Sequence, residues 1–194
     1  MAERVFEPEG RAVPYVEEGD GPVSLVLIAD LALDSDRLGV VAHYLAKEAG
    51  FHVVRVGPSG ESKEAELPVD ERAGERVDDT LAVIDHLGLD HTWIGGHGSG
   101  GTLARRFAAE HVERVNGLLL LGVEDEPIPL APVIPVLIIQ AMDDATTPPA
   151  NGEKLQELAP ERVSITSIDG ADHLFPVTHP METAVIIEEY LDWD

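Results

Sequence analysis

The 194-residue chain reads as a single α/β domain: a mostly parallel central sheet with helices on both faces, an antiparallel N-terminal edge and no cap domain. Three observations predict this. Short runs nearly continuous in apolar residues recur along the chain, as strands buried on both faces do. Segments with apolar residues at helical spacing lie between them. Neither a linker nor an internal repeat divides the alternation, and the length suits one domain with a substantial core better than two.

Taken in order, ERVFEPEGRAVPYVEEGDGP (3–22) predicts a strand pair around a glycine turn, forming the antiparallel edge. The buried strands are VSLVLI (23–28), HVVRV (52–56), HTWIG (91–95), GLLLLG (117–122), PVLIIQ (135–140) and VSITSI (163–168). Helices are expected at Asp36–Ala49, Arg72–Leu87, Gly100–His111, Asn151–Leu158 and Met181–Leu191. Leu81, Ile84 and Leu87 would line one face of the second helix, and Val185, Ile186 and Tyr190 one face of the last. Strand, helix and parallel strand in succession give a sheet covered on both sides. The Pro-rich EDEPIPLAPVIP (124–135) joins two strands directly and is too short for a lid domain, so an open cleft is expected.

A 44% hydrophobic share with 26% charged residues describes a globular protein. Thirty-seven acidic residues against 13 basic ones leave a net charge of −24, and only Lys47, Lys63 and Lys154 are lysines. Such a field repels phosphate backbones and anionic lipid, so neither nucleic acid nor membrane is an expected partner. The acidic, lysine-poor composition also suits high salt. With no cysteine, there is no disulfide, thiol nucleophile or thiolate metal site. MAERVFEPEG has no basic start followed by an apolar run, and no apolar stretch approaches the roughly 20 residues that span a bilayer. A cytoplasmic protein is the expectation.

The chemistry concentrates around IGGHGSGG (94–101), where a strand turns sharply into a helix, the setting a nucleophile elbow requires. Such a turn presses backbone against backbone, so small residues must stand two before and two after its centre. Centred on Gly98, those positions hold Gly96 and Gly100; centred on Ser99, they would include the bulky His97. The register therefore puts Gly98 at the nucleophile position and Ser99 one step into the helix.

With that turn, the chain resembles the α/β-hydrolase fold superfamily from its first strand to its last helix. LVLIADLALDS (25–35) is similar to the family's strand and oxyanion loop, and GPSGES (57–62) to its RGxGxS-type loop. IGGHGSGGTLARRFAAEHVERVNGLLLLG (94–122) resembles the elbow, its helix and the next strand. VLIIQAMDDATTPP (136–149) resembles the segment bearing the acid, which falls on Asp144, and SIDGADHLFP (167–176) the one bearing the histidine, His173. The order nucleophile, acid, histidine agrees with the family's.

Two departures stand out. Glycine replaces the serine, and Ala29 and Asp30 replace the HG pair. The backbone N–H groups of Ser99 and Leu31 would be the oxyanion donors. An Asp30 carboxylate about 4 Å from the oxyanion would oppose it by roughly 4 kcal/mol at an effective dielectric of about 20. Losing the nucleophile of a serine protease costs about 10⁶ in turnover.

The resemblance thus implies a family member without ordinary serine-hydrolase activity, its Asp144–His173 pair facing a small-molecule ligand, or a protein partner, above Gly98. The alternatives are an esterase or acyl hydrolase, with Gly98 natural or engineered or with Ser99 as nucleophile, and a non-hydrolytic enzyme using the His173–Asp144 dyad. Ser99 is otherwise expected to cap the helix through its hydroxyl. His43, His52, His86, His91, His111 and His179 are expected to be surface or packing residues. Asp143 and Asp144 lack the clustered histidines of a metal site, so neither metal nor other cofactor is expected.

Overall fold

A computed structural model describes residues 3–31, 35–58 and 68–192. Its core is an eight-stranded sheet, β1 (Arg4–Phe6), β2 (Val13–Glu18), β3 (Ser24–Ile28), β4 (His52–Val56), β5 (Thr92–His97), β6 (Val115–Leu121), β7 (Val136–Ala141) and β8 (Val163–Ile168). The spatial order is β1-β2-β4-β3-β5-β6-β7-β8. The β1–β2 and β2–β4 pairings are antiparallel and the rest parallel. The helices are α1 (Gly39–Lys47), α2 (Val69–His86), α3 (Ser99–Glu110), α4 (Pro149–Leu158), α5 (Phe175–Thr178) and α6 (Pro180–Leu191).

The double burial expected from the apolar runs is visible residue by residue. Along β3, Val26 and Ile28 join the core shared with Val77 and Ile84 of α2 and Leu103 and Phe107 of α3. Leu25 and Leu27 face the opposite core, formed with Leu45 of α1 and Ile187 of α6. β6 alternates in the same way, with Leu118 and Leu120 on one side and Leu119 and Leu121 on the other. Period-2 alternation in a run with no polar residue leaves no face for solvent.

Several boundaries differ from expectation. Ser35–Leu38 form a 3-10 turn, so α1 begins at Gly39; α2 starts at Val69, three residues early; and the four-residue α5 had no periodic signal. The face of α6 is also rotated. Ala184, Ile187 and Leu191 are buried, Ile186 and Tyr190 flank them, and Val185 is 37% exposed. Positions 184, 187 and 191 follow the 3.6-residue repeat, which carries Val185 round toward solvent. From residue 59 the GPSGES loop lies outside the described residues, as do residues 32–34 of the loop after β3.

The segment between β6 and β7 carries no helix and is held down by side chains of the flanking elements, with Asn151 donating to the Val123 carbonyl and Arg162 to those of Ala131 and Ile134. Arg105 of α3, only 2% exposed, donates through its guanidinium to the main-chain oxygens of Glu124, Glu126 and Ile128. Arginine suits this work because its planar fork can serve several carbonyls at once.

The constraint that matters most for the site is the close approach of α3 to the ends of β3 and β5. A Cβ on Gly100 would lie 2.2 Å from the Ile28 carbonyl oxygen, and one on Gly96 would lie 2.4 Å from the Gly100 carbonyl carbon. Neither neighbour is a side chain that can swing away. Gly100→Ala is therefore expected to lower the unfolding free energy by about 1–3 kcal/mol in urea denaturation, as overpacking does. Gly74→Ala, in α2 with no side-chain atom nearer than 4.0 Å, should raise it by about 0.5–1 kcal/mol through helix propensity.

Candidate functional site

Gly98 is the hinge between β5 and α3. Its φ of 55° and ψ of −120° lie where a side chain is strained, and its N–H donates to the Leu121 carbonyl at 3.0 Å. This turn brings the first amide of α3 against the chain leaving β3. Asp30 Oδ2 accepts a hydrogen bond from the Ser99 backbone N–H at 3.2 Å, and Ser99 Oγ accepts one from the Leu31 N–H at 2.9 Å. The Ser99 hydroxyl does not cap its own helix, contrary to expectation, because it is turned toward the Leu31 amide. The Asp30 carboxylate does the capping from across the loop, where the helix dipole favours negative charge.

Two arginines one turn apart on α2 hold this loop from behind. Arg76, 4% exposed, donates to the Ala29 carbonyl at 3.5 Å, and Arg72 donates to that of Leu31 at 3.4 Å. An arginine pair spaced i, i+4 thus fastens the carbonyls on either side of Asp30.

Facing Gly98 is His173, on the loop after β8. Its Nδ1–H donates to Asp144 Oδ2 at 3.0 Å, which leaves Nε2 turned toward the glycine. A Cβ built on Gly98 would lie 3.7 Å from His173 Nε2 and only 2.8 Å from Asp30 Oδ2. Asp144 has a fully buried side chain and is saturated with donors. Oδ1 accepts from the backbone N–H groups of Thr146 and Thr147, both at 2.8 Å, and Oδ2 also accepts from the Thr147 hydroxyl at 2.5 Å. Burial pushes the Asp144 carboxyl up, but the Thr147 hydrogen bonds and the His173 pairing outweigh it and hold the group below its usual value. An ionised Asp144 fixes His173 as the Nδ1–H tautomer, whose Nε2 can accept a proton.

His97 and Thr147 belong to this arrangement and were missed in the sequence. His97 Nε2 donates to the His173 main-chain oxygen at 2.7 Å, and the two rings lie 4.4 Å apart between centroids. Its position before Gly98 was the only signal, and it was read as steric bulk. Of the remaining histidines, His43 and His52 pair with Glu18 and Glu17 of β2, and His86 stacks on Phe6. Among the described residues, no group of three His, Asp or Glu side chains is placed to hold a metal ion.

Over these groups opens a cleft of about 810 Å³, bounded by Gly98, Asp30 and His173 below and by Val69, Leu103 and Ile128 at its sides. Its size is that of a small-molecule site. No helix among the described residues is long and apolar enough to cross a membrane.

Residues 74–175, more than half of the chain, match the profile of the Alpha/beta hydrolase family. The chain belongs to this family. Its fold is shared at low identity by several solved α/β hydrolase structures. A bromoperoxidase from Bacillus anthracis superposes with a TM-score of 0.81 at 17% identity, covering 98% of this chain and 100% of that one. A CIB-like hydrolase from Thermoplasma acidophilum gives 0.77 at 16%, with 98% and 97% covered. A carboxylesterase structure from the thaumarchaeon Nitrososphaera gargenis gives 0.78 at 17%, with 97% and 98% covered. In this α/β hydrolase the segments leaving β3, β5, β6, β7 and β8 meet at the cleft, at the carboxyl edge where open α/β sheets bind their ligands.

Buried His97 supplies a test of the site's electrostatics. Burial first, then the neighbouring His173, lowers its pKa from 6.5 to about 4. Between these values the unfolded chain takes up a proton that the folded chain does not, so stability falls as pH drops from 6.5 to 4. The full loss is roughly 3 kcal/mol, with no contribution above pH 6.5. Asp144 acts in a lower window, stabilising above its unfolded pKa and losing that as pH falls through its lowered folded value. Unfolding free energies of the natural chain and His97→Gln should therefore converge as pH falls below 6.5; a difference independent of pH would contradict this assignment.

Proposed function

We propose that this α/β hydrolase does not carry out acyl-enzyme chemistry, and that it binds a small organic molecule in the cleft above Gly98 with the His173–Asp144 pair facing the ligand. In this reading Gly98 stands at the nucleophile position, and the amides of Ser99 and Leu31 are those that would receive an oxyanion. The hydrogen bond from the Ser99 N–H to Asp30 Oδ2 carries it. A carboxylate already sits on one donor, and the Ser99 hydroxyl sits on the other.

Oxyanion stabilisation needs donors aimed at empty space where charge develops. Here a substrate oxyanion would meet a fixed negative charge instead. Gly98 brings no side chain to attack a carbonyl, and Ser99 is poorly suited to replace it because its hydroxyl already accepts from Leu31. A side chain at 98 would bring its Cβ to 2.8 Å from Asp30 Oδ2, so the carboxylate would have to shift.

The natural chain is expected to resist fluorophosphonate labelling and to leave 4-nitrophenyl acetate at the buffer rate. Gly98→Ser alone should gain nothing measurable, whereas Gly98→Ser with Asp30→Gly should gain at least about a hundredfold over the single variant, the usual worth of an oxyanion donor. Ser99-dependent labelling or turnover by the natural chain would overturn the proposal.

A further inference from the structure

The charges lining the cleft are out of keeping with the rest of the molecule. Carboxylates outnumber basic groups 37 to 13, so a cation has many anions within reach. Most basic side chains take one: Arg4 pairs with Glu17, Arg11 with Asp79, Arg55 with Glu18, Arg114 with Asp85 and Lys154 with Asp125. Arg37 and Arg72 both line the cleft, and neither has a carboxylate partner among the described residues. Among the described residues, the one hydrogen bond of Arg72 is the long one to the Leu31 carbonyl, and its Nε is shut from solvent without an acceptor.

Four carboxylates line the same cleft. Asp30 is engaged at the Ser99 N–H, Glu124 accepts from the Thr102 hydroxyl at 2.6 Å, and Asp70 and Glu126 are exposed to water. Exposed carboxylates are screened and contribute little at a distance. The walls of the cleft also include Leu31, Ala73, Leu103 and Leu174, which suit an apolar body.

Building on the reading of this cleft as a binding site, we propose that its ligand is an organic monoanion, a carboxylate on an apolar chain or ring, with Arg72 and Arg37 recognising the charged end. Guanidinium groups fit carboxylates because their parallel N–H donors match the two oxygens. One negative charge is matched, whereas a multiply charged anion would meet Asp30, Glu124 and the chain's overall field. The apolar body then lies toward Gly98 and His173, where no developing oxyanion has to be accommodated.

Titration calorimetry at low salt with octanoate, octanamide and octylamine tests this. Octanoate should bind the natural chain at least about tenfold more tightly than octanamide, the worth of one charge-assisted hydrogen bond, and octylamine most weakly. Arg72→Gln and Arg37→Gln should each reduce the ratio of octanoate to octanamide affinity, and Arg72→Lys should keep part of it. Thermal melts of the unliganded variants verify that they fold. Absence of octanoate binding, equal or tighter binding of the amide or amine, or a preference that survives both glutamine substitutions would overturn the proposal. Turnover of 4-nitrophenyl octanoate, assayed in parallel, would instead contradict the non-hydrolytic reading and leave the charge preference to stand or fall by itself.

Discussion

The site depends on how closely the first turn of α3 lies against the carboxyl ends of β3 and β5. Gly96 and Gly100 permit that approach because a methyl group at either would collide with main-chain atoms, and Gly98 makes the reversal between strand and helix through a positive φ. The helix start pressed there turns its first amide and positive dipole end toward the chain leaving β3, which supplies a partner. Asp30 is that partner. The position of the loop after β3, the grip of Arg72 and Arg76 on its carbonyls, and the floor of the cleft all follow from this one contact.

Energetically, an anion at a helix N-terminus is worth about 0.3–1 kcal/mol at an exposed site and up to about 2 kcal/mol when partly buried. That gain matters in a chain whose net charge of −24 opposes compaction by self-repulsion. The same placement is unfavourable for chemistry that develops negative charge at those amides. In the function proposed for this cleft, the contact that caps α3 is also the one that works against acyl transfer.

Much of this was legible in the sequence, for a physical reason. Strands buried on both faces leave an unbroken apolar signal, and close backbone packing leaves a spacing of glycines, so the sheet and the register that centres the turn on Gly98 could both be read directly. Asp144 and His173 were reachable only through resemblance, since a lone acid and a lone histidine on loops carry no periodicity. The partnerships were not legible at all. Nothing in the order of residues says that the Ser99 hydroxyl turns to Leu31 and away from its own helix, that Thr147 completes the Asp144 shell, or that His97 supports His173 from below. These are contacts between segments far apart in sequence, decided by packing. The misread face of α6 has a similar origin, since Val185, Ile186 and Ile187 are equally apolar and only the neighbouring helix selects among them.

The side chains allowed at positions 98 and 30 are coupled. With Asp30 in its present place, any side chain at 98 carries a Cβ into contact with a carboxylate oxygen at 2.8 Å. With glycine at 98 but no acid at 30, the Ser99 amide would lose its acceptor and open onto the cleft. Each residue removes the obstacle that the other would meet, as expected of neighbouring sites whose free energies are not additive. The geometry of the His173–Asp144 pair is set by Thr147, His97 and the loops after β7 and β8.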